Sequence, residues 1–212
     1  MPVICWYCDV RPLSAPSLFS RGMALLPWEE RREQVMRFRF EKDRCLCLGA
    51  GLLLAYALRQ AGAKDLSLRR LSNGKPALAN EPKIHFNLSH GGALAVCAVS
   101  DHPVGADVEP LQDPDAGIVR MCFQPSERAW IDEADVPARA FTRLWTRKES
   151  YLKMLGTGLY RSMDSFSALP GEEMPDEAVF TEREEMGHLI CICAHRSEAV
   201  IFREGHPLIG SC

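Results

Sequence analysis

The chain is expected to adopt an α+β fold made of two similar halves facing each other, and three observations predict it. Segments of helical periodicity give way to a run of short strand patterns, and that order then recurs loosely in the second half of the chain. The 212 residues suffice for one sizeable core or two small ones. With 47% hydrophobic and 25% charged residues, the composition is that of a globular protein.

Val3 to Val10 reads as an opening strand, followed by a Pro- and Ser-containing turn at Arg11 to Ser17. Charge at helical spacing covers Trp28 to Phe40, and a longer apolar helix covers Asp43 to Gln60. A short strand at Leu66 to Leu71 runs into the Asn73-Gly74 turn. Strand patterns then come in close order at Ile84 to Leu88, Leu94 to Ser100 and Val104 to Glu109. In the second half, helical patterns cover Asp115 to Met121, Ser126 to Glu133 and Pro137 to Leu155. Strands are expected at Asp164 to Leu169, Ala178 to Arg183, Leu189 to Ala194 and Ala199 to Arg203. Pro110 to Pro114 is the natural join, which divides the chain into halves 1–109 and 110–212. The tail from Gly205 is expected to fray, and a small-molecule site is expected in a cleft between the halves.

A net charge of −3 excludes the global basic field that dominates duplex nucleic-acid binding. The N-terminus has no basic leader before an apolar stretch. The most apolar run, Cys45 to Leu58, falls short of the roughly 20 residues a bilayer-spanning helix needs. A reducing, cytoplasmic compartment is therefore expected, and no membrane or nucleic-acid partner. Nine cysteines sit mostly in apolar, strand-like or helical runs, without a second CxxC or paired histidines at zinc spacing. They read as buried thiols rather than a site.

Four segments carry chemistry. In Val104-Gly105-Ala106-Asp107-Val108-Glu109, alternation along a strand sends Asp107 and Glu109 to one face. Two neighbouring carboxylates repel unless a hard divalent cation such as Mg2+ lies between them, although DxE alone also fits a solvated edge strand. In Trp145 to Lys153, helical spacing aligns Trp145, Glu149 and Lys153 in one stripe. Glu149 could complete the metal set and Lys153 could meet a phosphate, while the bland reading is a surface Glu–Lys pair worth a few tenths of a kcal/mol. In Phe86-Asn87-Leu88-Ser89-His90-Gly91-Gly92, a strand exits through a glycine turn beside Ser89 and His90, where amides and an imidazole can approach an anion. No GxSxG accompanies it, which dismisses a serine-hydrolase reading and leaves a structural hairpin histidine as the alternative. Asn73-Gly74-Lys75-Pro76 presents Lys75 from a turn, again toward a phosphate or adenine, and is by itself a common turn.

Taken together, these segments resemble the Sfp-type 4′-phosphopantetheinyl transferases. The family pattern of GKP, FNxSH, (V/I)GxDxE and WxxKExxxK is met by Gly74-Lys75-Pro76, Phe86 to His90, Val104 to Glu109 and Trp145 to Lys153. Gly156-Thr157-Gly158-Leu159 matches the GxGL that follows, and Phe123-Gln124-Pro125-Ser126-Glu127 matches a Phe-to-Glu segment between the acidic motifs. The resemblance spans at least Arg31 to Phe166. It implies a pseudo-twofold pair of α+β halves with coenzyme A between them and a monomeric enzyme. It further implies transfer of phosphopantetheine from coenzyme A to a serine of an acyl- or peptidyl-carrier domain, releasing adenosine 3′,5′-bisphosphate. Asp107, Glu109 and Glu149 match the ligands of Mg2+, with Mn2+ as a substitute. Lys75, Ser89, His90 and Lys153 match positions contacting coenzyme A, and Arg31 falls near a basic residue for its 3′-phosphate. Gln34 stands where a second Lys or Arg is common, and Ala106 where a β-branched residue is usual.

The implied catalytic groups are Glu149 as general base, with Lys153 and His90 neutralising the leaving group. Arg139, Arg143, Arg147 and Lys148 offer a basic surface for an acidic carrier, or else a solvated helix face. Two rivals stand beside this reading. A Mg2+-dependent phosphoesterase could use the same acids but leaves GKP and Ser89-His90 unexplained. A non-catalytic coenzyme A or carrier-binding module is hard to square with the intact acids and Lys153.

Overall fold

In the computed structural model, residues 2–157, 161–195 and 198–206 are described. The fold is α+β. Strand β1 (Val3–Asp9) is followed by a 3-10 turn at Arg11–Ser14 and helices α1 (Pro16–Leu25), α2 (Glu29–Arg37) and α3 (Glu41–Gln60). Strands β2 (Leu68–Arg70), β3 (Pro76–Leu78), β4 (His85–Gly91), β5 (Leu94–Ser100) and β6 (Gly105–Pro110) come next. Helices α4 (Ala116–Cys122), α5 (Pro125–Asp132) and α6 (Pro137–Leu155) precede β7 (Ala178–Glu185), β8 (His188–His195) and β9 (Val200–Glu204).

The strands form a four-stranded sheet in the order β4-β5-β1-β9, a three-stranded sheet β6-β8-β7 and a small β2-β3 ribbon. Strand alternation makes two faces of each large sheet, and both are buried. Trp6, Cys8, Ala95, Cys97 and Val99 turn toward α3, whose Leu48, Leu52, Leu53 and Leu58 lie in the same core. Val3, Cys5, Val96 and Ala98 turn the other way and meet Ala106, Val108, Ile190 and Ile192 of the second sheet. On that sheet's far side, Cys193 joins the Phe141, Leu144 and Tyr151 core of α6. The layers therefore run helix, sheet, sheet, helix. That stacking explains why β5 and β8 read as almost unbroken apolar runs.

Two strands depart from a simple run of antiparallel neighbours. β6 pairs with β8, in register from Gly105 opposite Cys193 to Pro110 opposite His188. β9 leaves that sheet and pairs parallel with β1. His188 fastens the β4–β5 turn to the β7–β8 turn, because its Nε2 accepts from the Ala93 N–H at 3.1 Å and its Nδ1 faces the Met186 carbonyl at 2.8 Å.

Three local expectations need correction. The strand expected at Asp164 to Leu169 is a 3-10 turn at Met163–Ser165 followed by non-strand chain. Side chains satisfy its backbone there: Lys148 donates to the Met163 and Phe166 carbonyls, Arg147 to the Ala168 carbonyl, and Glu127 accepts from the Ala168 N–H. The turn expected to reach Ser17 becomes α1, started by Pro16 at its first position. Gly205 is not frayed; it is buried, and its N–H donates to the Tyr7 carbonyl at 2.8 Å. Residues 207–212 of that tail, and Gly158 and Leu159 of the GxGL match, lie outside the described residues.

Candidate active site

Gly105 fixes the geometry between β6 and α6. A Cβ at that position would run into the Ser150 carbonyl oxygen and the Met154 nitrogen, so only glycine lets the helix backbone pass this close. Across the other edge of β6, Asn87 accepts from the Ala106 N–H at 2.8 Å and draws β4 alongside. A Cβ on Gly91 would likewise meet the Val108 carbonyl. Three elements thereby converge, and alternation on each strand together with the i, i+4 stripe on α6 decides which side chains face one another.

The result is a cleft of about 390 Å3 lined by Leu88, Ser89, His90, Asp107, Glu109, Trp145, Glu149 and Lys153. Six of the eight residues singled out in the sequence share it. Lys153 Nζ lies 2.5 Å from Asp107 Oδ1, 3.1 Å from Ser89 Oγ and 3.9 Å from Glu149. Ser89 Oγ in turn donates to Asp107 Oδ1 at 2.8 Å. Asp107 Oδ2 is shielded from solvent and has no donor. Burial, then the neighbouring Asp107, pushes the Glu109 carboxyl up to about 7 despite Lys153. Burial also raises Glu149, with Lys153 opposing and Asp107 adding to the shift. His90 is pushed down, first by burial and then by the Arg31 charge, so it is neutral near pH 7. Asp107 and Glu149 within ion-pair distance of Lys153, Glu109 lining the same cleft and one Asp107 oxygen left without a donor make a set of oxygen ligands that could hold a hard divalent cation.

Trp145 stands in the sequence stripe with Glu149 and Lys153 without a role of its own. It lines the cleft and hydrogen-bonds Glu109, and its place four residues before Glu149 was the available signal.

Two residues stand apart from the lining. Lys75 Nζ donates to the Lys153 carbonyl at 2.6 Å and the Val104 carbonyl at 3.1 Å, tying the C-terminal turn of α6 to the start of β6. Burial lowers its pKa to about 8. Arg31 is packed over Gly51 behind His90, its charge held down by burial, with Nε lacking an acceptor.

The α6 cations expected to offer a basic surface are all paired within the chain. Arg143 and Arg147 both pair with Glu182, at 2.6 Å each, and Arg139 pairs with Glu184. Lys148 is fully buried against Glu127 at 2.8 Å. These charges hold α6 onto β7 and α5. The eight cysteines described are free thiols, seven of them buried, as expected. No helix among the described residues is long and apolar enough to cross a membrane.

An α+β fold that gathers carboxylates and a lysine at one cleft is equipment for handling a phosphorylated substrate with a divalent cation. Residues 103–203 match the family model described as the 4′-phosphopantetheinyl transferase superfamily, and residues 14–102 the one described as 4′-phosphopantetheinyl transferase, N-terminal. A 4′-phosphopantetheinyl transferase of Bacillus subtilis is 36% identical over 166 residues, covering 76% of this chain and 73% of that protein. The 4′-phosphopantetheinyl transferase Sfp of Bacillus subtilis (strain 168) is 30% identical over 203 residues, 89% of each chain. The L-aminoadipate-semialdehyde dehydrogenase-phosphopantetheinyl transferase of Mus musculus is 29% identical over 61% of this chain and 48% of its own. The chain belongs to the Sfp-type 4′-phosphopantetheinyl transferase family and is an enzyme.

Proposed function

We propose that this enzyme transfers the 4′-phosphopantetheine group of coenzyme A to a serine of an apo acyl- or peptidyl-carrier domain and releases adenosine 3′,5′-bisphosphate. The observation that carries this reading is the cleft that Asp107, Glu109, Glu149 and Lys153 line together while Asp107 Oδ2 lacks a donor. Asp107, Glu109 and Glu149 would hold Mg2+, which supplies charge neutralisation to a pyrophosphate when bound.

The chain's own residues perform the remaining work. The serine oxygen forms a bond to the phosphorus bearing the pantetheine arm, and the bond from that phosphorus to the bridging oxygen breaks. Glu149 takes the serine proton, directly or through a water; its raised pKa moves it toward the range where a general base works at neutral pH. Lys153 shifts from Asp107 toward the bridging oxygen and offsets the charge that develops there. His90, neutral, donates a hydrogen bond to a phosphate oxygen, and Ser89 does the same from the facing strand position. Arg31, behind His90, would be the cation for the 3′-phosphate, and Lys75 holds the end of α6 to the start of β6.

We read the fold as two α+β halves, 1–109 and 110–212, related by a pseudo-twofold axis and acting as one monomer. In support, α3 covers one large sheet and α6 the other. Each half lends the other a strand, β6 to the second sheet and β9 to the first.

The test is intact-mass spectrometry of an apo carrier incubated with this enzyme, coenzyme A and Mg2+. One phosphopantetheine should be added to the carrier serine, and EDTA should prevent it. Coenzyme A binding with no gain on acyl- or peptidyl-carriers would instead favour the binding-module reading.

A further inference from the structure

The Gly91-Gly92 pair that follows His90 serves two close approaches, one on each side of the β4–β5 turn. A Cβ on Gly91 would run into the Val108 carbonyl and stand 3.2 Å from Glu109 Oε2, so the turn lies flush against β6 beside a cleft carboxylate. A Cβ on Gly92 would run into His188 Nε2, and Gly92 adopts φ +55°, so neither the space nor the backbone suits another residue.

The His188 ring that fills this space is buried and engaged at both nitrogens. Nδ1 lies 2.8 Å from the Met186 carbonyl and so carries the proton, which leaves Nε2 to accept from the Ala93 N–H at 3.1 Å. Ala93 is thereby anchored through both of its backbone groups. Its carbonyl accepts from the Val10 N–H at 2.9 Å, just past β1 of its own sheet, and its N–H reaches across to β8 of the other. The far end of the link is fixed as well, since the Gly187 carbonyl accepts from the Leu111 N–H at 3.1 Å and His188 stands opposite Pro110, the residue after Glu109. Asn87 fastens β4 to β6 two residues before Ser89, and His188 fastens the turn three residues after His90. Ser89 and His90 lie between these two ties, on the strand that faces Asp107 and Glu109.

Resting on the reading of the cleft given above, we propose that His188 is a positioning residue for the transfer reaction: it holds the β4–β5 turn against the second sheet and so sets where His90 stands. His188 itself touches no substrate, and its whole effect passes through the Ala93 N–H. Without that acceptor the turn pivots at Gly91-Gly92, where no side chain restrains the backbone, and His90 moves with it. A misplacement of about 1 Å can cost roughly 100-fold in rate.

Three variants of the full chain separate the two ends of the link. His188→Gln puts an acceptor near the place of Nε2, His188→Asn keeps a donor near the Met186 carbonyl but falls short of Ala93, and His188→Ala loses both. Without coenzyme A, NMR reads the hydrogen exchange of the Ala93 amide and the ring resonances of His90. Exchange should be about 10-fold faster in the Ala and Asn variants, the worth of one hydrogen bond, and the His90 resonances should shift in those two and not in His188→Gln. Steady-state transfer with coenzyme A, Mg2+ and apo carrier should show kcat/KM for coenzyme A reduced about 10- to 100-fold by Ala and by Asn, with KM for the carrier unchanged, and recovered by Gln. Wild-type His90 resonances and kcat/KM in His188→Ala would overturn the proposal. So would rescue by Asn and not by Gln, which would move the role to the β7–β8 turn, and that comparison decides even where the Ala variant fails to fold. Should wild type transfer nothing to any carrier, the functional reading fails, and the Ala93 and His90 resonances alone still support or overturn the setting of that ring by His188.

Discussion

Lys153 Nζ lies 2.5 Å from Asp107 Oδ1, while Asp107 Oδ2, on the same carboxylate, is buried without a donor. The lysine thus meets one oxygen of the carboxylate and leaves the other without a donor, the place where the proposed cation would bind. Asp107→Asn keeps the shape and removes the charge. It should lower transfer by about 100-fold or more, since a metal's stabilisation of developing charge is worth several kcal/mol. Glu149→Gln should do likewise, with unchanged circular dichroism. Substantial activity in either variant would remove these residues from the metal set.

If Lys153 offsets the charge that appears during transfer, as proposed, Lys153→Ala should lower kcat more than it weakens coenzyme A binding. Steady-state kinetics with calorimetric binding of coenzyme A separates the two. A larger loss in affinity than in kcat would make Lys153 a binding residue only.

Gly105→Ala should unfold more easily by about 3 kcal/mol and lose activity, because its Cβ meets helix backbone, which cannot yield as a flexible side chain can. Urea denaturation of the variant measures the cost. A variant as stable as wild type would show that β6 and α6 are not in this close contact.

The Lys148–Glu127 pair is fully buried, and breaking it by Lys148→Met alone should cost about 3–5 kcal/mol through the unpaired Glu127. A double-mutant cycle with Glu127→Gln checks this. Additive losses in the cycle would mean that the two charges do not sense each other.

Glu109 is held at about 7, against an ordinary 4.5, chiefly by burial. A carboxyl whose folded pKa exceeds its unfolded one binds its proton more tightly in the folded state. Its stabilising contribution is complete below about 4.5 and is lost as pH rises through about 7. In EDTA, the Tm advantage of wild type over Glu109→Gln should therefore shrink from about pH 5 to about pH 8, and Mg2+ should restore it at the alkaline end. Thermal melts across that range report it; an advantage that grows with pH in EDTA would contradict the burial of this carboxyl.

Local periodicity made most of the fold legible. The apolar runs of β5 and β8 and the stripe on α6 announced their elements because each buries its own face. The segment Asp164 to Leu169 misled, since its apolar alternation serves burial while Arg147, Lys148 and Glu127, distant in sequence, satisfy its backbone. The cleft residues were legible because spacing on a strand or helix fixes direction. Lys75, Arg31 and the α6 arginines were less so. Whether a cation faces a ligand, a carbonyl or a buried glutamate depends on which chain packs opposite, and β7, which supplies Glu182 and Glu184, is far along the sequence.

The central claim is that this cleft moves phosphopantetheine, and one measurement tests it directly. Wild type and Asp107→Asn are each incubated with apo carrier, coenzyme A and Mg2+, and the mass gained by the carrier is followed together with the adenosine 3′,5′-bisphosphate released. The account predicts one nucleotide released per phosphopantetheine added by wild type, and almost none of either by Asp107→Asn. Nucleotide release without carrier modification, or full activity in the variant, would contradict it.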